Sequence, residues 1–182
     1  KMLIRHTVWN IEPGGDSAKD REAAEFIESC MDDMQSTWTD TISEILSFLV
    51  YGWSLHEIVY KRRMGKTRNP RTNSKYSDGL IGWQKLPIRS QDTLYKWEYD
   101  KHDNLIGMTQ MPPPDYGFIT IPIKKAMLFR TESAKDNPEG RSILRNAYRP
   151  WYFKRRIQEI EAIGIERDLA GLPVFHAVSY TH

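Results

Sequence analysis

Cysteine is nearly missing from this sequence: the one thiol is Cys30. A single thiol cannot close an intramolecular disulfide, and no cysteine cluster exists for a zinc or iron–sulfur site. Cys30 therefore reads as a small packing residue. Long apolar runs are missing as well. No stretch approaches the ~18–20 apolar residues of a spanning helix, and the start, Lys1-Met2-Leu3-Ile4-Arg5-His6, lacks the apolar region of a signal peptide. With 27% charged residues and a mean hydropathy of -0.61, the chain is expected to be soluble, made in the cytoplasm, and without a membrane partner. Net charge is small too. At +2 it does not announce a nucleic-acid binder, so any electrostatic reading rests on where the charges lie. No internal repeat or low-complexity tract is present.

What is there suits a folded globule. The chain has 182 residues, 40% of them hydrophobic, with six Trp, nine Tyr and six Phe. That length allows one medium domain with a real core, or a domain plus an appended helix. The patterning predicts an α+β fold: a mixed or antiparallel sheet packed with helices, followed by a long, Pro-interrupted C-terminal helix. Val8-Trp9-Asn10-Ile11 before Pro13-Gly14-Gly15 predicts a short strand and a turn. Phe26, Ile27, Cys30, Met31 and Met34 recur at helical spacing over 17–34, with Asp16 or Ser17 placed as the cap. A second helix over 39–51 carries Ile42, Ile45, Leu46 and Leu49 on one stripe and meets a terminator at Gly52.

Strands are predicted at 53–61, 80–88, 94–99, 105–111, 118–121 and 126–130. In the first, Trp53, Leu55, Glu57, Val59 and Lys61 oppose Ser54, His56, Ile58 and Tyr60, so neither face is purely apolar. Residues 62–78 read as an exposed basic loop or hairpin tip, and 100–104 as a hairpin connection. From Arg141 to about Ala170 helical spacing returns, with Pro150 interrupting it, which predicts two helices or one kinked helix. The part after Pro150 would extend ~30 Å. Gly171 and Pro173 end it, and Val174 to Tyr180 starts another strand.

Motifs for catalysis are incomplete. Gly65-Lys66-Thr67 resembles the end of a phosphate-binding loop, but the glycine five residues earlier is replaced by Tyr60, and Asn69-Pro70 obstructs the helix that must follow. His56-Glu57 opens like a zinc-protease helix, yet the second histidine would stand at 60, again Tyr60. The histidines at 6, 56, 102, 176 and 182 lack metal-ligand spacing. Asp32-Asp33 and Glu166/Asp168 sit on predicted helices without a nucleophile pattern and read as solvated faces. No catalytic residue, cofactor or metal is expected. A metal-dependent hydrolase with a dispersed site is the least favoured reading.

The informative stretch is 141–156, where Arg141, Arg145, Arg149, Lys154, Arg155 and Arg156 stand with no acidic residue between them. Arg141, Arg145 and Arg149 at i, i+4 and i+8 would share one helical face beside an apolar stripe of Leu144, Tyr148 and Trp151. Such a surface suits intersubunit salt bridges, for which the forked guanidinium is apt, or contact with phosphates. A solvated face is the plain alternative.

At these residues the chain resembles the portal proteins of tailed phages, including Mu-like ones. The similarity runs from Asn137-Pro138-Glu139-Gly140-Arg141-Ser142-Ile143-Leu144-Arg145 through Ala147-Tyr148-Arg149-Pro150-Trp151 and Lys154 to Glu166-Arg167 and Gly171-Leu172-Pro173. Trp9-Asn10-Ile11-Glu12-Pro13, Tyr51-Gly52-Trp53-Ser54 with Glu57-Ile58-Val59-Tyr60, and Asp78-Gly79-Leu80-Ile81 to Leu86 and Arg89 agree in order, so it covers nearly the whole chain.

The resemblance implies a structural subunit of an oligomeric ring, commonly of twelve copies, at one capsid vertex, through which double-stranded DNA is driven by a separate terminase motor. It implies partners: further copies of the chain, terminase, capsid and head–tail adaptor proteins, and DNA passing non-specifically. Location in the virion follows. By the same analogy 1–140 is a wing-like domain, 141–173 a long helical segment leading to the stem, and 174–182 the start of the clip. Read this way the chain is an excerpt of a longer protein, lacking the usual preceding region and the second stem helix. The competing reading is a monomeric nucleic-acid-binding module using the basic helix 141–156.

Overall fold

The computed structural model describes residues 2–5, 7–133, 136–169 and 171. It divides into two units, residues 1–143 and 144–182. The first unit opens with a four-residue helix, α1 (Met2–Arg5). Residues 8–13 then run without regular structure, where a strand was expected. Val8 is 83% exposed and lies beside no strand, and alternation without a partner backbone does not make a ladder.

Helix α2 (Ala18–Asp32) begins where the sequence asks it to: the Ser17 hydroxyl accepts from Asp20 N, leaving one fewer first-turn amide unpaired. Thr37 caps α3 (Trp38–Ile45) in the same way through Asp40 N. The expected single helix over 39–51 is broken at Leu46-Ser47, and a last turn, α4 (Phe48–Tyr51), ends at Gly52 with φ +96°. A glycine is required there for two reasons. The backbone is left-handed, and a Cβ at Gly52 would strike the carbonyl of Gly140, just as one at Gly140 would strike Gly52.

Among the described residues eight strands follow in three small antiparallel sheets, and the α+β expectation holds. They are β1 (Trp53–Glu57), β2 (Val59–Arg62), β3 (Ile81–Lys85), β4 (Ile88–Arg89), β5 (Leu94–Tyr99), β6 (Leu105–Gln110), β7 (Ile119–Pro122) and β8 (Ala126–Arg130). The orders are β4-β1-β8, β2-β3 and β5-β6-β7. Two runs that read as continuous strands are each cut in two. Past β1 the Ile58 amide still donates to Lys125 O, in register with β8, before Val59 turns to pair with Lys85 of β3, and Pro87, which has no amide to give, divides β3 from β4 while its carbonyl accepts from Glu57 N. The runs at 53–61 and 80–88 therefore each serve two sheets.

β1 lies between two apolar clusters, which explains its mixed faces. Trp53 and Leu55 pack with Met108, backed by Leu94, Trp97, Ile123 and Leu128. Within that cluster the Trp53 and Trp97 rings meet edge to face with centroids 5.1 Å apart. Ile42, Ile45 and Leu46 of the helices form the other cluster with Trp38, Phe48 and Phe129. Ser54 donates to Ile45 O at 3.0 Å and His56 meets Leu86 O through Nδ1 at 2.9 Å. Both polar side chains are fully buried. Burial pushes the His56 pKa down, against the Leu86 carbonyl and the charge of Glu44, which favour the proton.

A second polar cluster ties α2 to the β2-β3 pair. Lys61 Nζ donates to Asp33 O at 2.6 Å and Asn73 O at 2.8 Å, and pairs with Asp33 Oδ2 at 3.0 Å, both side chains being 2% exposed. Burial raises the Asp33 pKa, but hydrogen bonds from Ser74 Oγ and Lys75 N, with the Lys61 ammonium, outweigh it and hold the carboxyl below its usual range. Arg63 lies under Phe26 and Tyr76, with Cζ 4.1 Å from the tyrosine ring centroid, and pairs with Asp78 at 2.8 Å. Cys30 is buried next to it, as its packing role anticipates.

Candidate functional site

The second unit carries a 3-10 turn, Ile143–Ala147, begun at the end of the first, and then α5 (Tyr148–Leu169). The break expected near Pro150 falls instead before Tyr148. Pro150 is the third residue of α5, within the turn whose amides lack intrahelical acceptors, so it starts the helix without kinking it. At 22 residues, α5 spans about 33 Å.

Every residue of α5 is exposed. That includes large apolar side chains such as Trp151 (52%), Ile160 (69%) and Leu169 (85%). They fall on two faces. Phe153, Ile157, Ile160 and Gly164, spaced 4-3-4, form an apolar seam of coiled-coil type. Roughly opposite, Tyr148, Trp151, Tyr152, Arg155 and Glu159 form an aromatic and charged face whose members touch one another. The Tyr148 and Tyr152 rings stack at 6.3 Å. Arg155 lies 5.8 Å from the Trp151 centroid, and Arg156 5.7 Å from that of Tyr152. Glu159 closes the set, pairing with Arg156 Nη1 at 3.0 Å and Arg155 Nε at 3.6 Å. Tyr152 Oη and Glu159 together raise the Arg156 pKa. Such exposed pairs add little to stability. A shallow groove of about 270 Å³ lies along Tyr148, Trp151, Tyr152, Arg155, Arg156 and Glu159.

The six cations singled out from the sequence do not form one face. Arg141 precedes any helix, where its carbonyl accepts from Thr131 Oγ1 at 2.7 Å, Arg145 lies in the 3-10 turn, and Arg149 is the second residue of α5. The i, i+4, i+8 argument assumed one continuous α-helix, and the tighter 3-10 turn breaks that phase. Lys154, Arg155 and Arg156 are on α5, but consecutive residues point about 100° apart. The residues that sequence reasoning passed over are Tyr152 and Phe153. Tyr148-Tyr152-Arg156 at i+4 spacing was the available signal.

The residues weighed for catalysis are dispersed. Asp32 pairs with Lys75 at 2.7 Å while Asp33 is consumed by Lys61. Gly65-Lys66-Thr67 sits in a loop followed by a 3-10 turn, Pro70–Thr72, in place of the helix a phosphate loop needs. Among the described residues no three His, Cys, Asp or Glu side chains gather to hold a metal ion.

Against known families, the model of the portal protein of Mu bacteriophage matches residues 1–178. The chain belongs to that family. No curated protein matches it. The family match extends over both units, so the sheets of the first and the exposed helix of the second are parts of one portal-protein sequence. Among the described residues of this portal-family chain, no helix is long and apolar enough to cross a membrane. The strand expected at 174–180 and the helix end at Pro173 lie outside the described residues, whereas Gly171, with φ +76°, stands where a helix stop was expected.

Proposed function

We propose that this portal-family chain is a structural subunit of the oligomeric ring at one capsid vertex, through which double-stranded DNA is packaged and ejected. The observation that carries the reading is α5. A water-exposed helix with Phe153, Ile157 and Ile160 along one seam leaves uncovered the apolar surface that normally stabilises a helix by packing. A second copy is a suitable cover. Closed rings need two different surfaces per subunit, one for each neighbour, and the two faces of α5 differ in that way.

In this reading 1–140 is the wing, 141–173 leads into the stem, and 174–182 begins the clip. The division after Ile143 supports a boundary close to that place. The ring would have twelve copies and sit in the virion, with terminase, capsid and head–tail adaptor proteins as partners. Arg141, Arg145, Arg149, Lys154, Arg155 and Arg156 would lie at subunit contacts or toward passing DNA. No catalytic step and no cofactor belong to this role. The alternative, a monomeric nucleic-acid-binding module on 141–156, draws less support because Arg155 and Arg156 are engaged by Glu159 and by aromatic rings.

Electron microscopy of the purified protein, with mass in solution, tests the proposal. Closed rings with a channel wide enough for duplex DNA are expected. A protein that stays monomeric at all concentrations and binds DNA tightly would overturn it in favour of the module.

A further inference from the structure

The strongest unassigned surface lies in the first unit, far from α5 in sequence. Between Lys61 and Tyr76 the chain contains no Asp or Glu. Three cations there are neutralised: Lys61 by Asp33, Arg63 by Asp78 and Lys75 by Asp32. Four are not. Arg62, Lys66, Arg68 and Arg71 are exposed, and among the described residues none of them forms an ion pair.

Arg62 ends β2, and the loop after it that carries the other three is built, not slack. Gly65 N donates to Tyr76 O at 2.8 Å and Ser74 N to Gly65 O at 3.0 Å, closing its neck. Thr67 N donates to Asn73 Oδ1 at 2.8 Å, and the Arg71 carbonyl accepts from both Gln35 Nε2 and Gln84 Nε2. Ordered backbone bearing unpaired cations has already met part of the entropy cost of binding a polyanion.

We infer that Arg62 at the end of β2, with Lys66, Arg68 and Arg71 of the loop after it, binds the phosphate backbone of double-stranded DNA without reading its sequence. The nine residue steps from Arg62 to Arg71 cover at most about 32 Å, within about one turn of duplex. A protein partner fits less well. Interface centres favour aromatic and apolar anchors and are poor in Lys, and Met64 is the one large apolar side chain exposed between Lys61 and Gly79. The inference does not require ring assembly, and it goes beyond the proposed role of α5.

The test is fluorescence anisotropy of a labelled mixed-sequence duplex titrated with the full chain between 50 and 200 mM salt. Four phosphate contacts predict a slope of log affinity against log salt near -3.6, an affinity loss of roughly a hundredfold over that range. The triple variant Lys66→Ser, Arg68→Ser, Arg71→Ser is expected to reduce the slope by about 3 with unchanged circular dichroism. The charge-keeping variant Lys66→Arg, Arg68→Lys, Arg71→Lys should restore it. A slope unchanged in the triple variant overturns the inference. So does polyglutamate competing as well as unlabelled duplex at equal charge, which would mark the loop as a site for acidic protein.

Discussion

Single residues in the first unit carry disproportionate weight because they are polar and buried. Lys61 neutralises Asp33 where neither side chain meets water. Lys61→Met leaves the carboxylate buried and uncompensated, and is expected to cost about 3–5 kcal/mol in urea-unfolding free energy. Gly52→Ala faces both a left-handed backbone and the Gly140 carbonyl. A loss of about 1–3 kcal/mol is expected, with a lowered melting temperature as the readout. His56 gives a pH dependence. Its pKa is pushed below the ordinary 6.5, so the unfolded chain takes up a proton before the folded one does. Stability should therefore fall as pH drops through about 6.5, by up to about 1.4 kcal/mol per pH unit. His56→Gln, which can still donate to Leu86 O, should flatten that part of the curve in a denaturant series.

At the scale of elements, local signals and long-range pairing divide the outcome. Helices α2 and α3 start at their hydroxyl caps and α4 stops at Gly52, because caps and left-handed glycines act within a few residues. Strand ends obeyed distant partners instead. Nothing within residues 53–61 announces that Ile58 will donate to Lys125 O, and the strand expected at Val8 has no partner. The β5-β6 hairpin lies between these cases: Asp100 accepts from His102 N and Asn104 N, a local turn that sets a long pairing. Helix α5 bears its own prediction. Ile157→Glu with Ile160→Glu keeps good helix formers but charges the apolar seam, and is expected to abolish assembly while helical circular dichroism remains. Assembly unaffected by the pair would remove the seam from the subunit contact.

For the whole molecule, the order of motifs along the chain identified the family, and the family model spans residues 1–178. That much lies in the sequence, because family likeness is a property of residue order. So do the α+β class, the caps, and the exposed basic loop, each fixed by composition or by neighbours a few positions away. The candidate surface on α5 was half visible: the cations and the helix could be read, but the phase could not. A 3-10 turn of five residues put Arg145 out of phase with Arg149, and Arg141 precedes any helix. Tertiary structure alone decided which polar groups would be buried together, such as Lys61 with Asp33 and His56 with Leu86 O, and which cations of one basic loop would be left without a carboxylate. The two buried meetings join residues 28 and 30 positions apart, and side-chain burial and charge pairing are set by such meetings and not by any local pattern.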